Sequence, residues 1–265
     1  MNDNYFIYHL HSDLSNAVTN VDSVTKFEEY VRKAKECGMK ALAFSEHGSV
    51  FEWYHKKSAI EEAGMKYVHA AEVYLTETLN EKIRDNYHCV LLARNYEGFK
   101  ELNRIISKSF LRSDNHFYYV PRVSFEELFN TSENIIVTSA CVGGVLGKGH
   151  DSARQRFIDF AVSNRERFFL EVGHHKDVKQ VEYNKFLLEI SEKTGLRLIA
   201  GTDTHALDAS HEKGREILQR AKKIHFDGED GWDLKFKTYE ELVESYKKQR
   251  SEERRVGKEC RSRWS

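Results

Sequence analysis

The sequence predicts an α/β fold, a distorted seven-stranded (β/α) barrel of the TIM-like type. Short apolar runs rich in β-branched and aromatic residues alternate with longer amphipathic segments, as expected of strands and helices around a parallel sheet. Seven such runs are present, and a chain of 265 residues is long enough to bury the large core that a barrel needs.

The predicted strands are all short. In chain order they are YFIY at 5–8, ALAF at 41–44, KYVHAAEVYL at 66–75, CVLLA at 89–93, NIIVTSA at 134–140, RFFLEV at 167–172 and RLIAG at 197–201. Between them, SVTKFEEYVRKAKECG predicts a helix with Ser23 as N-cap and Gly38 as its end, and VKQVEYNKFLLEISEKTG predicts a helix that ends at Gly195.

The link between the third and fourth strands departs from a regular barrel. TETLNEKIRDNY is polar and lacks the apolar periodicity of a packed helix, so these two strands are expected to form a hairpin. The segment HFYYVPRV, which contains Pro121, is interpreted as a tyrosine-rich loop.

Composition and charge leave several classes open. A formal net charge of −1 gives no global polycation, so nucleic-acid binding has to be argued from a local site. The four cysteines have no paired spacing and are interpreted as reduced packing residues. With no membrane span and no signal peptide expected, the sequence predicts a cytoplasmic protein.

Residues 1–225 are expected to form one domain and residues 226–250 a polar extension that packs on it or leads onward. Residues 251–265 are interpreted as a non-native tail because they lack periodicity and change abruptly in charge.

Histidines and carboxylates follow the predicted strands. The segments HLHSD at 9–13, SEHGSV at 45–50 and GTDTHAL at 201–207 each come directly after a strand. Because the carboxyl ends of parallel strands share one face, these side chains should converge. LEVGHH and the expected hairpin add further candidates on that rim. The candidate metal ligands are His9, His11, His47, Glu72, His88, His175, Asp203 and His205, with His174 interpreted as an exposed neighbour of His175.

These residue types point to divalent metal chemistry. A His-x-His pair on a strand sends both imidazoles to the same side, where they can chelate one ion. Imidazole with carboxylate suits zinc, manganese or iron, whereas thiolate is absent from the set. The ligands are too many for one ion, so we expect a cluster of two or three ions that clamps a phosphoryl group and generates hydroxide near neutral pH.

Each single motif also has a structural explanation. One His-x-His is most often a surface or hydrogen-bonded pair, and Glu72 would also fit a solvated strand edge. The convergence of the whole set carries the prediction. The remaining histidines are assigned no site role: His55, His69, His116, His150, His211 and His225.

The order of these motifs resembles the PHP (polymerase and histidinol phosphatase) family. Within that family, GMKALAFSEHGSVFEW, HAAEVYL, HCVLLARNYEGFKEL, VTSACVGGVLG, FFLEVGHH and GTDTHAL are similar to the N-terminal PHP domains of bacterial and phage DNA polymerase III alpha subunits. The resemblance spans residues 5 to about 247, and DGWDLKFKTYEEL is similar to the passage that leads into the polymerase palm.

The resemblance implies a ninth ligand, Asp22, placed by its distance before Gly38 and Met39. Two features depart from the family: Glu46 stands where an aspartate is usual, and loop 12–21 is longer and more polar. The implied activity is metal-dependent phosphoester hydrolysis of the 3′-5′ exonuclease type, in which metal-bound hydroxide is the nucleophile and no side chain need be.

The implied partners are the 3′ end of DNA, downstream polymerase domains of the parent chain and a proofreading subunit. Polymerase catalysis itself is not expected in this sequence. Two alternatives stay open, a free-standing phosphatase of the histidinol phosphate type and a non-catalytic structural module. Direct support for DNA binding is limited to a basic edge predicted on one helix: Arg94, Lys100, Arg104, Lys108 and Arg112.

Overall fold

The computed structural model describes residues 5–224 and 232–256, which form a mixed α/β fold around one curled sheet. The strands are β1 (Ala41–Phe44), β2 (Lys66–Thr76), β3 (Tyr87–Ala93), β4 (Phe117–Tyr118), β5 (Val120–Ser124), β6 (Ile135–Thr138), β7 (Phe168–Val172) and β8 (Arg197–Ala200). The helices are α1 (Phe27–Glu36), α2 (Trp53–Glu62), α3 (Tyr96–Ser109), α4 (Phe125–Phe129), α5 (Val145–Lys148), α6 (Asp151–Ser163), α7 (Val178–Thr194), α8 (Ala209–Ala221) and α9 (Tyr239–Val256).

The sheet runs β1, β2, β3, β6, β7, β8, with β5 and then β4 attached to the far end of β2. β1 and β2 are parallel, as are β6, β7 and β8, whereas β3 is antiparallel to both of its neighbours. The hairpin expected between the third and fourth predicted strands is therefore confirmed. Its register pairs Tyr74 with His88 and Glu72 with Val90.

The first predicted strand, YFIY, is not a regular strand, but its backbone joins the two edges of the curled sheet. The Ala43 amide donates to Ile7 O at 3.2 Å and the Ser45 amide to Leu10 O at 2.9 Å. On the other side, the His11 amide donates to the carbonyl oxygen of Thr204 at 2.8 Å. With this segment the sheet closes into the expected distorted seven-stranded barrel.

Helix ends follow local sequence in two cases and not in a third. Gly38 and Gly195 both have positive φ angles, +69° and +74°, just where α1 and α7 end, since glycine adopts this conformation without a Cβ clash. Ser23 is not the N-cap of α1, because that helix begins only at Phe27 and the Ser23 hydroxyl instead donates to the carbonyl of His205.

HFYYVPRV is also not a loop. It forms the short hairpin of β4 and β5, in which Phe117 pairs with Pro121 and Tyr118 with Val120. Proline is tolerated here because β4 is a two-residue strand at the end of the sheet order.

Two apolar clusters form most of the core. The larger one lies between the β2–β3–β6–β7 face and the helices α3, α4, α6 and α7. The smaller one joins the N-terminal segment, α1, β1 and α2, and it also takes in Phe236. Residues between 232 and 249 therefore pack on the barrel, and Tyr246 of α9 donates its hydroxyl to Val172 O at 2.7 Å.

The predicted domain limits stay predictions. Residues 225–231 and 257–265 lie outside the described part of the chain, and α9 runs across residue 250. Among the helices that the structure describes, none has the length and apolar character needed to cross a bilayer.

Candidate metal centre

The structure places seven of the nine predicted ligands in three overlapping groups at one end of the sheet. Within each group, one donor atom from every residue lies within 4.8 Å of the others. The groups are His11 with Asp22, His47 and His205, then His9 with His11 and Glu72, and finally Glu72 with His88 and Cys141. Asp203 joins the first two through its contacts with His9 and His11.

Glu72 is the centre of the arrangement, and it is fully buried on β2. Its Oε2 lies 3.0 Å from His47 Nδ1 and 3.3 Å from His11 Nε2, and its Oε1 lies 2.7 Å from His88 Nδ1. The antiparallel register of β2 and β3 places His88 here, as the hairpin predicts. A solvated strand edge is excluded for this carboxylate.

Asp22 bridges two histidines from different strand ends. Its Oδ2 lies 3.2 Å from His47 Nε2 and 3.2 Å from His205 Nε2. The residue is fixed from behind by Arg215 of α8, whose Nε donates to the Asp22 carbonyl at 2.5 Å and whose other guanidinium nitrogen lies 3.7 Å from Oδ1. Asp22, the candidate that only the resemblance implied, thus lies in one group with His11, His47 and His205.

Asp203 and the His-x-His pair meet on the other side. Asp203 Oδ1 lies 3.2 Å from His9 Nε2 and 3.4 Å from His11 Nε2. Its φ angle is +43°, a conformation that non-glycine residues rarely adopt and that tends to occur at functional sites. The Asp203 carbonyl lies 2.8 Å from His205 Nδ1, which leaves Nε2 of that ring for Asp22 or an ion.

Glu171, on β7, was not predicted as a site residue, although it touches a candidate ligand directly. Its Oε1 lies 2.5 Å from His9 Nδ1, and Thr138 donates to its other oxygen at 2.8 Å. A carboxylate on Nδ1 orients the ring and leaves Nε2 to bind an ion. A Cβ at position 201 would lie 2.1 Å from Glu171 Oε1, so Gly201 is required for this approach. The signal in the sequence is one carboxylate within the apolar run FFLEV.

Glu46, the departure from the family pattern, supports the site from behind. Its carboxylate accepts hydrogen bonds from the Ser12 amide at 3.1 Å, the Ser15 hydroxyl at 2.5 Å and Lys56 Nζ at 2.6 Å. Ser15 Oγ in turn lies 3.2 Å from His11 Nδ1. Glu46 and Lys56 are both buried, and together they hold the segment that carries His11.

A thiol, which the sequence analysis did not include among the ligands, lies beside the predicted set. Cys141 follows β6, and its Sγ lies 3.6 Å from His88 Nδ1 in the group that they share with Glu72. Burial raises the pKa of this thiol well above its ordinary value, and the carboxylates of Asp203 and Glu72 act in the same direction. The protein alone therefore keeps Cys141 protonated.

His174 and His175 occupy a separate position in the described structure. The expectation that His174 is exposed is wrong, since it is 1% exposed and its ring lies 4.6 Å from that of His175. His175 stacks on Trp232 at 4.5 Å, and Gln249 of α9 donates to its backbone carbonyl at 2.5 Å. His175 is in none of the three groups, so its predicted role as a ligand stays a prediction.

Burial and charge divide the imidazoles into two kinds. Burial, with the neighbouring rings of His47 and His205, lowers the pKa of His11 to about 4, and burial lowers that of His175 to about 3. For His9 and His47 burial also acts to lower the pKa, but adjacent carboxylates outweigh it and raise the pKa well above the ordinary value. The raised pKa values favour the protonated, positively charged forms of His9 and His47 beside these carboxylates, where metal cations would otherwise supply the positive charge.

The pKa of each central carboxylate shifts the opposite way. Burial acts to raise the pKa of Glu72, Asp22 and Asp203, yet the surrounding imidazoles hold all three well below the usual range. The carboxylates are therefore ionised at neutral pH, as metal ligands must be.

The donor set fits divalent ions. Several buried ligand atoms lie within ion-pair distance of one another but make no hydrogen bond of regular geometry: His9 Nε2, His11 Nε2, Asp22 Oδ2, His47 Nδ1 and both carboxylate oxygens of Glu72. Unpaired buried polar atoms are costly, so their concentration at one point indicates a missing partner of positive charge. Imidazole and carboxylate with one thiol suit zinc, manganese or iron better than calcium.

The other histidines are engaged elsewhere. His69 and His116 are buried, and they pair with Asn103 and Glu127. His55, His150 and His211 each lie within 4.0 Å of a glutamate away from the groups, while His225 lies outside the described residues.

The predicted basic edge is divided among different elements. Lys100, Arg104 and Lys108 lie on α3, whereas Arg94 and Arg112 lie outside it. Two of these cations are paired, Lys100 with Glu97 at 2.8 Å and Lys108 with Glu127 at 2.6 Å. They form no continuous cationic face.

Comparisons with known proteins identify the family of the chain. DNA polymerase III subunit alpha of Borreliella burgdorferi is 31% identical over 79% of this chain, and that of Aquifex aeolicus is 30% identical over 85%. The chain spans about a fifth of the length of these relatives. A crystal structure from Bifidobacterium adolescentis, described as a metal-dependent phosphoesterase, matches with a TM-score of 0.49 and 14% identity, covering 76% of this chain and 87% of the other. The model of the PHP domain matches residues 8–175, and the chain therefore belongs to the PHP domain family.

Proposed function

We propose that this chain is a metal-dependent phosphoesterase domain that hydrolyses DNA from its 3′ end. The observation that carries the proposal is the cluster of buried, unpartnered imidazole and carboxylate atoms around Glu72. A structural role alone does not account for so many unsatisfied donors and acceptors at the mouth of a cavity.

Divalent ions, when bound, lower the pKa of water and neutralise the charge that develops on a phosphoryl group. The residues that would hold them are His9, His11, Asp22, His47, Glu72, His88, Asp203 and His205, with Cys141 as a further donor and His175 as the remaining candidate. The surrounding residues orient the side chains that would hold the ions. Glu171 fixes the ring of His9, and Ser15 with Glu46 fixes the ring of His11.

DNA is proposed as the substrate because the relatives are named DNA polymerase III subunit alpha. In such a parent chain the downstream polymerase domains would extend the primer, and a 3′-5′ hydrolase beside them would remove terminal nucleotides. A proofreading subunit is a further proposed partner, and the cytoplasm is the proposed location.

The test is release of 3′ nucleotides from a labelled primer in the presence of manganese. The double variant Asp203→Ala/His205→Ala should abolish release and also reduce the amount of manganese bound per chain. A matched control is Asp159→Ala/His55→Ala, which removes the same residue types from exposed positions on α6 and α2.

Undiminished release by the site variant would refute the proposal. Hydrolysis of small phosphate monoesters without any cleavage of DNA would instead support a free-standing phosphatase. Bound metal with no turnover of either substrate would support a structural module.

A further inference from the structure

A cavity of about 810 Å³ adjoins the metal centre, and it is much larger than one phosphoryl group requires. Asp22, His47, Asp203 and His205 line one part of it. Sites for whole small molecules commonly have volumes of about 300–1,000 Å³. The cavity therefore has room for a substrate that extends well beyond the phosphate that is cut.

Three cations line another part of the same cavity, and each comes from a different helix. They are Lys148 at the end of α5, Arg154 in the first turn and a half of α6, and Lys179 in the first turn of α7. Within the described residues, no carboxylate lies within ion-pair distance of Lys148 or Lys179, and both are exposed. Their positive charge is available to a ligand.

Arg154 is held in place by one hydrogen bond, while another donor of its guanidinium has no hydrogen-bond partner. One terminal nitrogen donates to the Gly147 carbonyl at 2.9 Å, and the guanidinium lies 5.8 Å from the ring of Phe186. Its Nε is buried and has no partner, while Asp151 is no closer than 3.9 Å. A guanidinium fixed in this way suits a phosphate, because its planar set of donors matches two phosphate oxygens.

The positive charge in this part of the lining comes from side chains and not from free helix ends. Arg154 and Lys179 lie in the first turns of α6 and α7, but the side chains of His150 and Asp177 already cap these two N-termini. Glu182 is exposed on the same lining and opposes the three cations, which outnumber it there.

We propose that Lys148, Arg154 and Lys179 bind a second phosphate, the one next to the phosphodiester that is cut. The substrate class is then a nucleic-acid strand carrying two adjacent phosphates, and not an isolated phosphate ester. This inference rests on the proposed hydrolase function, because it assigns the second half of the same substrate.

Two dinucleotide substrates test the second phosphate site separately from the phosphodiester that is cut. The dinucleotide d(TpT) contains only the phosphodiester that is cut, whereas d(pTpT) has a 5′-phosphate in addition. The wild-type domain should cleave d(pTpT) with a kcat/KM on the order of tenfold higher, the gain expected from a charge-assisted contact. The double variant Lys148→Gln/Lys179→Gln should lose that preference, so that its kcat/KM values for the two dinucleotides become equal.

A matched control removes two lysines elsewhere. Lys193→Gln/Lys57→Gln changes the net charge equally at exposed positions on α7 and α2, each paired with a glutamate of its own helix. It should keep the preference for d(pTpT). An equal loss on both dinucleotides in the cavity variant, or no loss on either, would overturn the assignment.

A binding assay without turnover tests the second phosphate site independently of the proposed hydrolase function. In EDTA, titration calorimetry should show that the wild type binds d(pTpT) about tenfold more tightly than d(TpT), and that Lys148→Gln/Lys179→Gln removes the difference. If the wild type cleaves neither dinucleotide, the hydrolase proposal fails and this titration alone decides. Equal affinities in the wild type would then refute the second phosphate site.

Discussion

Replacing Glu72 with glutamine tests whether the buried carboxylate holds the metal cluster. Glu72 belongs to two of the three ligand groups, and its oxygens lie 2.7 Å from His88 Nδ1 and 3.0 Å from His47 Nδ1. Glutamine keeps the shape and removes one negative charge. At an effective dielectric constant of about 20, a unit charge about 4 Å from a cation contributes roughly 4 kcal/mol. Binding of manganese should therefore weaken by roughly a thousandfold.

The assay is metal stoichiometry and affinity by elemental analysis and titration calorimetry, with circular dichroism as a check on folding. Glu171→Gln is the matched comparison, because this carboxylate contacts His9 Nδ1 but belongs to none of the groups. Its effect should be smaller, roughly 10–100-fold in affinity. A Glu72→Gln protein that binds as much manganese as the wild type, and as tightly, would refute the placement of the cluster.

Three further predictions concern stability in urea. Burial acts to raise the pKa of Glu127, but hydrogen bonds from a lysine, a backbone amide and an imidazole lower it to about 2. After a discount for solvent screening at this half-buried site, Glu127→Gln should cost roughly 2 kcal/mol at pH 7 and only a small fraction of that near pH 2. A cost that persists at pH 2 would contradict this. Gly98→Ala should destabilise by about 1–3 kcal/mol because its Cβ would lie 2.2 Å from a carbonyl oxygen. Gly214→Ala should instead stabilise by up to about 1 kcal/mol, because its Cβ would make only an ordinary van der Waals contact, 3.4 Å from Val24 Cγ2; equal effects of the two substitutions would exclude the clash. Lys56→Met should cost about 3–5 kcal/mol by leaving Glu46 buried and unpaired, and an unchanged midpoint would show that the pair is not formed.

The sign of the Glu127 effect follows from linkage. The folded state holds this carboxyl ionised at pH values where the unfolded chain, with an ordinary pKa of 4.5, already binds a proton. The stabilisation is therefore complete above pH 4.5 and is lost as the pH falls toward 2. Circular dichroism in urea at several pH values follows this loss directly.

Local pattern was sufficient for much of the fold. ALAF at 41–44 is a strand with the predicted bounds, and Gly38 and Gly195 end their helices because both require a positive φ angle. The polar link after β2 predicted an antiparallel partner, which fixed the position of His88 beside Glu72. Each of these features depends on a few consecutive residues, so it could be predicted from the sequence.

The sequence by itself also determined that histidines and carboxylates would gather, since side chains that follow parallel strands share one end of the sheet. Only the tertiary structure decided which residues support them. His9 and Glu171 are 162 positions apart, and their contact depends on a curled sheet that brings the first segment over β7. An alternating strand pattern specifies the face on which a side chain lies but not the strand across from it. For that reason the contacts of Glu171 and Cys141, and the burial of His174, could be identified only from the tertiary structure.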